Sequence, residues 1–133
     1  MKVQGRCHCG QITYEADVDP KTTGMCHCTD CQMLTGSAYR VTVRAPSATF
    51  TLLSGRPKAY VKTADSGNKR LHAFCPDCGT PIYATEPVDP KVYSLRVGCL
   101  QQRAEILPRR QIWCSSALPW AMNLEGIEQS GRQ

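Results

Sequence analysis

Apolar and polar residues alternate with period two in four stretches of the chain. Ile12, Tyr14 and Ala16 alternate with Gln11, Thr13 and Glu15, and Tyr39, Val41 and Val43 alternate with Arg40, Thr42 and Arg44. Phe50 and Leu52 alternate with threonines, and Tyr93, Leu95 and Val97 with Ser94 and Arg96. Period two with β-branched and aromatic residues marks a strand that rests one face on a core. Turn residues separate the runs at Asp19-Pro20, Ala45-Pro46, Ser54-Gly55, Ser66-Gly67-Asn68 and Asp89-Pro90. Helical spacing is confined to Thr29–Leu34, a single short turn of helix with Thr29 as the expected cap. The pattern predicts one mainly β domain of short strands and irregular loops over residues 1–123, with residues 124–133 as a loose tail.

Composition changes this picture in one respect. Leu, Ile, Val and Phe make up only 24 of 133 residues, a thin stock for a core. Small domains with that shortage are commonly stapled by metal or disulfides. The chain has nine Cys, an odd number that cannot all pair. No apolar run reaches the ~18 residues of a membrane span, and Met1 to Cys7 holds no apolar stretch that could act as a signal peptide. The expected compartment is the cytoplasm, where Cys reads as a metal ligand or a reactive thiol.

Seven of the nine Cys fall into three tight clusters. Cys7-His8-Cys9 is C-x-C, Cys26-His27-Cys28-Thr29-Asp30-Cys31 is C-x-C-x-x-C, and Cys75-Pro76-Asp77-Cys78 is C-x-x-C followed by Gly79. In the last, Pro fixes φ at the start of a tight turn and Gly permits the positive φ that ends it, as in a zinc knuckle. In C-x-C along a strand both sulfurs share a face and can chelate together. A structural zinc takes four protein ligands, and a reactive one takes three and keeps a position open. The economical division is Cys7, Cys9, Cys75 and Cys78 around a structural zinc and Cys26, Cys28 and Cys31 around a second, so two zinc ions per chain are expected. His8, His27, Asp30, Cys99 or Cys114 could close the triplet as a fourth ligand, although His8 and His27 alternate with the sulfurs and would face away from them in a strand. Cys99 and Cys114, standing alone, read as small buried hydrophobes.

Net charge is +5 before metal is counted. Seven thiolates and two Zn²⁺ bring it to about +2. With basic residues dispersed along the chain, neither nucleic acid nor a membrane is an expected partner.

The ordered set Cys7-His8-Cys9-Gly10, the triplet with Gly36-Ser37 after it, and Phe74-Cys75-Pro76-Asp77-Cys78-Gly79-Thr80 resembles the glutathione-dependent formaldehyde-activating enzyme family, also named for centromere protein V. The resemblance runs from Gly5 to about Trp120, taking in Ser66-Gly67, Arg70 and Ile112-Trp113 … Pro119-Trp120. It implies an Mss4-like fold of coiled short sheets around a structural zinc. It also implies the four-plus-three zinc division and a carbon–sulfur lyase that joins glutathione and formaldehyde reversibly. The expected partners are therefore a small thiol and an aldehyde, with Cys26, Cys28 and Cys31 holding the reactive zinc. A non-catalytic binding module with both metals structural is the alternative, and a redox enzyme using Cys99 or Cys114 as an exposed, acidic thiol is a further rival.

Substrate contacts are harder to read. Gly36 and Ser37 could line the open position with an amide and a hydroxyl, or could be an ordinary turn. Arg70 could clamp a carboxylate with two N–H groups, or could be a solvated strand residue. Arg109-Arg110 reads as a solvated turn, and Trp113 and Trp120 as core or interface anchors.

Overall fold

The first alternating run becomes the centre of a small sheet. Strand β1 (Lys2–Arg6) pairs antiparallel with β2 (Thr13–Asp17), and β5 (Thr51–Ser54) adds to the other side of β2. This computed structural model describes residues 1–133, and its strands outnumber its single α-helix ten to one. Ile12, Tyr14 and Ala16 are all buried, as their alternation predicts. Gly5 sits directly opposite Tyr14, whose ring crosses the space where any other residue would carry Cβ. Leu52 differs from expectation. It lies on the edge strand β5, all of whose residues are exposed, and only Phe50 turns inward to stack on Tyr93 at 4.4 Å.

Seven strands form the second sheet. They are β3 (Asp19–Cys26), β4 (Arg40–Pro46), β6 (Lys58–Thr63), β7 (Lys69–Phe74), β8 (Pro81–Thr85), β9 (Val92–Arg96) and β10 (Arg110–Ile112). Their order across the sheet is β10-β3-β4-β9-β8-β7-β6, antiparallel throughout except that β10 runs parallel to β3. One face, with Val43, Ala45, Ile82 and Leu95, packs against Val3, Tyr14 and Ala16 of the small sheet to make a single core. Cys7 and Cys75 belong to that core, so the first cysteine cluster is rooted in it. The other face of the same strands is polar, and it lines the candidate site. No helix is long and apolar enough to cross a membrane.

Helix α1 (Thr29–Thr35) is one residue longer than its sequence pattern, and its cap is Cys28 rather than Thr29. The Cys28 sulfur accepts the Cys31 amide at 3.3 Å, standing where a serine oxygen would. Gly36 closes the helix in the left-handed region, φ 62°, with its amide donating to the Gln32 and Met33 carbonyls.

Candidate metal centre

Cys7, Cys9, Cys75 and Cys78 converge, with all four sulfurs within 4.8 Å of one another. The Cys7–Cys9 and Cys9–Cys75 sulfur separations are 3.5 and 3.8 Å. A tetrahedral zinc with sulfurs at ~2.3 Å requires about 3.8 Å between them, so the four residues fit that ion. The turn from Cys75 to Thr80 is closed by two backbone bonds, Gly79 to Cys75 and Cys75 to Thr80, and Gly79 takes the positive φ expected of it, 76°. The Cys7–Cys9 segment is not a strand, as C-x-C spacing had implied. It is a tight turn after β1, with the Gly10 amide on the Cys7 carbonyl and Gly10 at φ 82°. Thr80 joins the two segments. Its hydroxyl accepts the His8 amide and meets the Cys78 sulfur at 3.2 Å, and its hydrogen bonds are the main cause that pulls Cys78 down to about 5.

The second cluster is Cys26, Cys28 and Cys31, again within 4.8 Å and each half-buried. No histidine, carboxylate or further cysteine joins it. His27 is fully buried and turned away, with Nε2 against Gln111 Oε1 at 2.8 Å and its ring edge-on to Tyr39. Asp30 is engaged by Lys62. Cys99 is half-buried, its thiol donating to the Pro81 carbonyl, and burial above all pushes it up to about 11, which removes the acidic thiol the redox reading needs there. Cys114 is exposed, against the expectation of a buried hydrophobe, because it starts a short turn after β10.

Ionisation is shared unequally in the triplet. Burial first, and then the Cys31 charge, push Cys26 up to about 12. Burial also opposes ionising Cys28, but the Cys31 amide, the two neighbouring thiols and Lys62 outweigh it and hold Cys28 below the ordinary thiol value. Three thiols packed this closely lose all their protons only when a cation replaces them. The donor set is thiolate alone, which suits zinc or iron over harder ions.

The loop that carries the triplet is fixed by a segment far along the chain. Strand β10 pairs Ile112 with Cys26, and the Ile112 carbonyl accepts the His27 amide. The Gln32 side chain donates to both the His27 and Ser116 carbonyls. Gln32, His27 and Gln111 thus act as positioning residues, which sequence spacing does not mark.

The triplet opens into a cavity of about 350 Å³. All seven strands of the large sheet contribute to its wall, from Arg110 and Ile112 on β10 to Lys62 on β6, so the sheet must curl around it. Six cations line it, Arg40, Arg44, Lys62, Arg70, Arg96 and Arg110, and no carboxylate does. Lys62 is paired with Asp30, and Arg70 lies 3.8 Å from Glu86. Arg40 and Arg96 are 6% and 7% exposed, yet Arg40 Nε and Nη2 and Arg96 Nε have no hydrogen-bond partner. Arg96 Nη2 meets His72 Nδ1 at 3.1 Å. Burial, then the Arg96 charge, pull His72 down to about 4, so it stays a neutral acceptor.

Of the substrate residues expected from sequence, Arg70 lines the cavity, and Gly36 and Ser37 do not. Those two end helix α1, the Ser37 amide bonding to the Gln32 carbonyl. Arg110, read as a solvated turn, is a strand residue of the cavity wall, crossing over Gly24 at a distance that leaves little room for a Cβ there. Trp113 is 61% exposed and lines the cavity from a left-handed backbone position, rather than anchoring a core. The basic residues are dispersed along the sequence but gathered in space, since alternate positions of neighbouring strands face one side.

A family model described as glutathione-dependent formaldehyde-activating enzyme matches residues 2–116. Among solved structures, the fold is similar to that in a crystal structure of a Rhodobacter sphaeroides protein, with a TM-score of 0.62 at 19% identity. The match covers 84% of this chain and 99% of that one.

Proposed function

Because the chain belongs to the glutathione-dependent formaldehyde-activating enzyme family, we propose that it catalyses the reversible addition of a glutathione-like thiol to a small aldehyde such as formaldehyde, a carbon–sulfur lyase reaction. The observation that carries this reading is the triplet of sulfurs, without a fourth protein ligand, at the wall of a cation-lined cavity. The reaction forms one C–S bond, and the thiol proton ends on the former carbonyl oxygen, so no co-reactant is needed.

Cys26, Cys28 and Cys31 would hold the reactive zinc, and Cys7, Cys9, Cys75 and Cys78 a second, structural one. When bound at the triplet, zinc would lower the pKa of an incoming thiol and polarise the aldehyde oxygen. Ionisation alone is a small gain. A free thiol of pKa ~8.5 is already ~3% thiolate at pH 7, so complete ionisation is worth at most ~30-fold. The larger share falls to the cavity, whose walls hold thiol and carbonyl together at high effective concentration. Lys62 faces the triplet and favours thiolate at Cys28. Met25, Ile112 and Trp113 supply the apolar part of the wall beside the triplet.

The test is the rate at which ¹³C-formaldehyde exchanges between its free form and its glutathione adduct, followed by NMR line shape. The metal-loaded protein should accelerate exchange, and Cys28→Ser should abolish the acceleration. Exchange at the uncatalysed rate with metal-loaded wild type would overturn the reading.

A further inference from the structure

Two buried arginines of the cavity, Arg40 and Arg96, need an explanation that the three sulfurs do not supply. Arg40 and Arg96 project from adjacent strands onto the cavity face, two registers apart on the β4–β9 ladder. They are more than nine-tenths buried, and none of the chain's ion pairs reaches them or Arg44 or Arg110. Their free N–H groups find no sulfur within bonding distance either. A zinc held by three thiolates would carry one negative charge, against two buried and unpaired guanidinium groups with further exposed cations around them. Buried cations without partners are costly unless a ligand completes them.

We propose that Arg40 and Arg96 form an oxyanion subsite that binds a carboxylate of the thiol substrate. Arg96 is held for this by His72, which accepts from Nη2 and leaves Nε free. Arg40 offers Nε and Nη2, and a carboxylate accepts such paired donors in a fork. Of the four remaining cations, Lys62 is paired with Asp30, and Arg44, Arg70 and Arg110 extend the same field along the cavity wall, where a second acidic group of a peptide-like thiol could lie. The inference rests on the thiol–aldehyde reading only for the identity of the molecule that bears the carboxylate.

Calorimetric titration of the metal-loaded full chain with three probes separates the two ideas. The probes are 3-mercaptopropionate, with thiol and carboxylate, 3-(methylthio)propionate, with carboxylate alone, and 2-mercaptoethanol, with thiol alone. The subsite requires 3-mercaptopropionate to bind roughly 10- to 100-fold tighter than 2-mercaptoethanol, the range of a charge-assisted pair. It also requires the thioether to bind measurably and added salt to weaken both carboxylates. Arg96→Gln should erase the carboxylate preference while metal content and 2-mercaptoethanol affinity stay as in wild type, and Arg40→Gln is the second variant should the first not fold. Equal affinity of wild type for the charged and neutral thiols, with no thioether binding, overturns the subsite. So does Arg96→Gln retaining the preference, or losing metal instead of it, since the arginines would then serve the thiolates. If both carboxylates bind equally and 2-mercaptoethanol not at all, the subsite stands and the thiol reading falls.

Discussion

The two cysteine clusters present the same donor atom in opposite surroundings. Cys7 and Cys75 are buried in the main core, and their partners Cys9 and Cys78 bring together segments nearly seventy residues apart. Cys26, Cys28 and Cys31 come from one short stretch, each half-buried, and face a cavity lined by six cations. A closed set of four that ties distant chain together can decide folding. An open set of three that ties nothing distant can be spared by the fold and used for chemistry. What separates the two is the number of sulfurs that converge, four in the first and three in the second, and the cation-lined cavity onto which the second opens.

The sharpest way to break this contrast is to remove one sulfur from each. Cys75→Ser should abolish cooperative thermal unfolding, because structural zinc contributes ~10–16 kcal/mol in small zinc peptides and a domain's net stability is only ~5–15 kcal/mol. Circular dichroism would show this directly, and a melting midpoint close to wild type would erase the distinction. Cys28→Ser should leave the fold intact, with Tm moved by less than ~5 °C. Serine can still cap helix α1 through its hydroxyl, so the change isolates the loss of a ligand. Elemental analysis should find one fewer zinc per chain, and aldehyde exchange should fall to background.

Smaller effects sharpen the contrast. Thr80→Val removes the hydroxyl that favours the Cys78 thiolate. A thiolate kept at lower pH keeps metal at lower pH, so the variant should release the structural zinc at a higher pH than wild type. Its affinity should drop by roughly 10- to 100-fold, as for other supporting partners of metal ligands. Chelator competition between pH 5 and 8 would measure this, and the triplet should be unaffected. The smallest effect belongs to His72. Its pKa is held at about 4, below the ordinary 6.5, so the unfolded chain binds the extra proton between those values. Stability from this source is whole above pH 6.5 and declines as pH falls toward 4. His72→Asn, which keeps an acceptor for Arg96, should flatten that decline by an amount of order 1 kcal/mol, allowing for its half-exposed position. Urea titrations of both proteins at pH 7 and pH 5 would give the difference.

The two groups of converging sulfurs were legible in the sequence because chelating spacing is local, and the odd count of seven divides only one economical way. The core strands at Ile12–Ala16 and Tyr93–Val97 were legible for the same reason. The cavity was not. Arg40, Thr42 and Arg44 alternate with Val41, Val43 and Ala45, the pattern of any strand with one wet face. Only the curl of the sheet and the late strand β10 turn that face inward. A hint was present in three arginines at alternate positions of neighbouring strands, Arg40, Arg44 and Arg96, but pairing across the sheet must be known before they can be seen as one group. Gly36 and Ser37 are near the triplet in sequence and off the cavity wall in space. The helix C-terminus carries them off.

The chain order of these parts sets a timetable during synthesis. A nascent protein emerges from its N-terminus, so the triplet is complete when residue 31 is out, while the four-cysteine set waits for residue 78. Closing the short C-x-C-x-x-C loop costs far less entropy than closing one of nearly seventy residues. The triplet can therefore capture a thiophilic ion from the cell well before there is a folded domain around it. The strand that shapes its surroundings, β10, arrives roughly eighty residues later. Which metal such a site takes up would then depend on the ions met by the emerging chain as well as on the finished cavity, since thiolate donors alone discriminate weakly between zinc and iron.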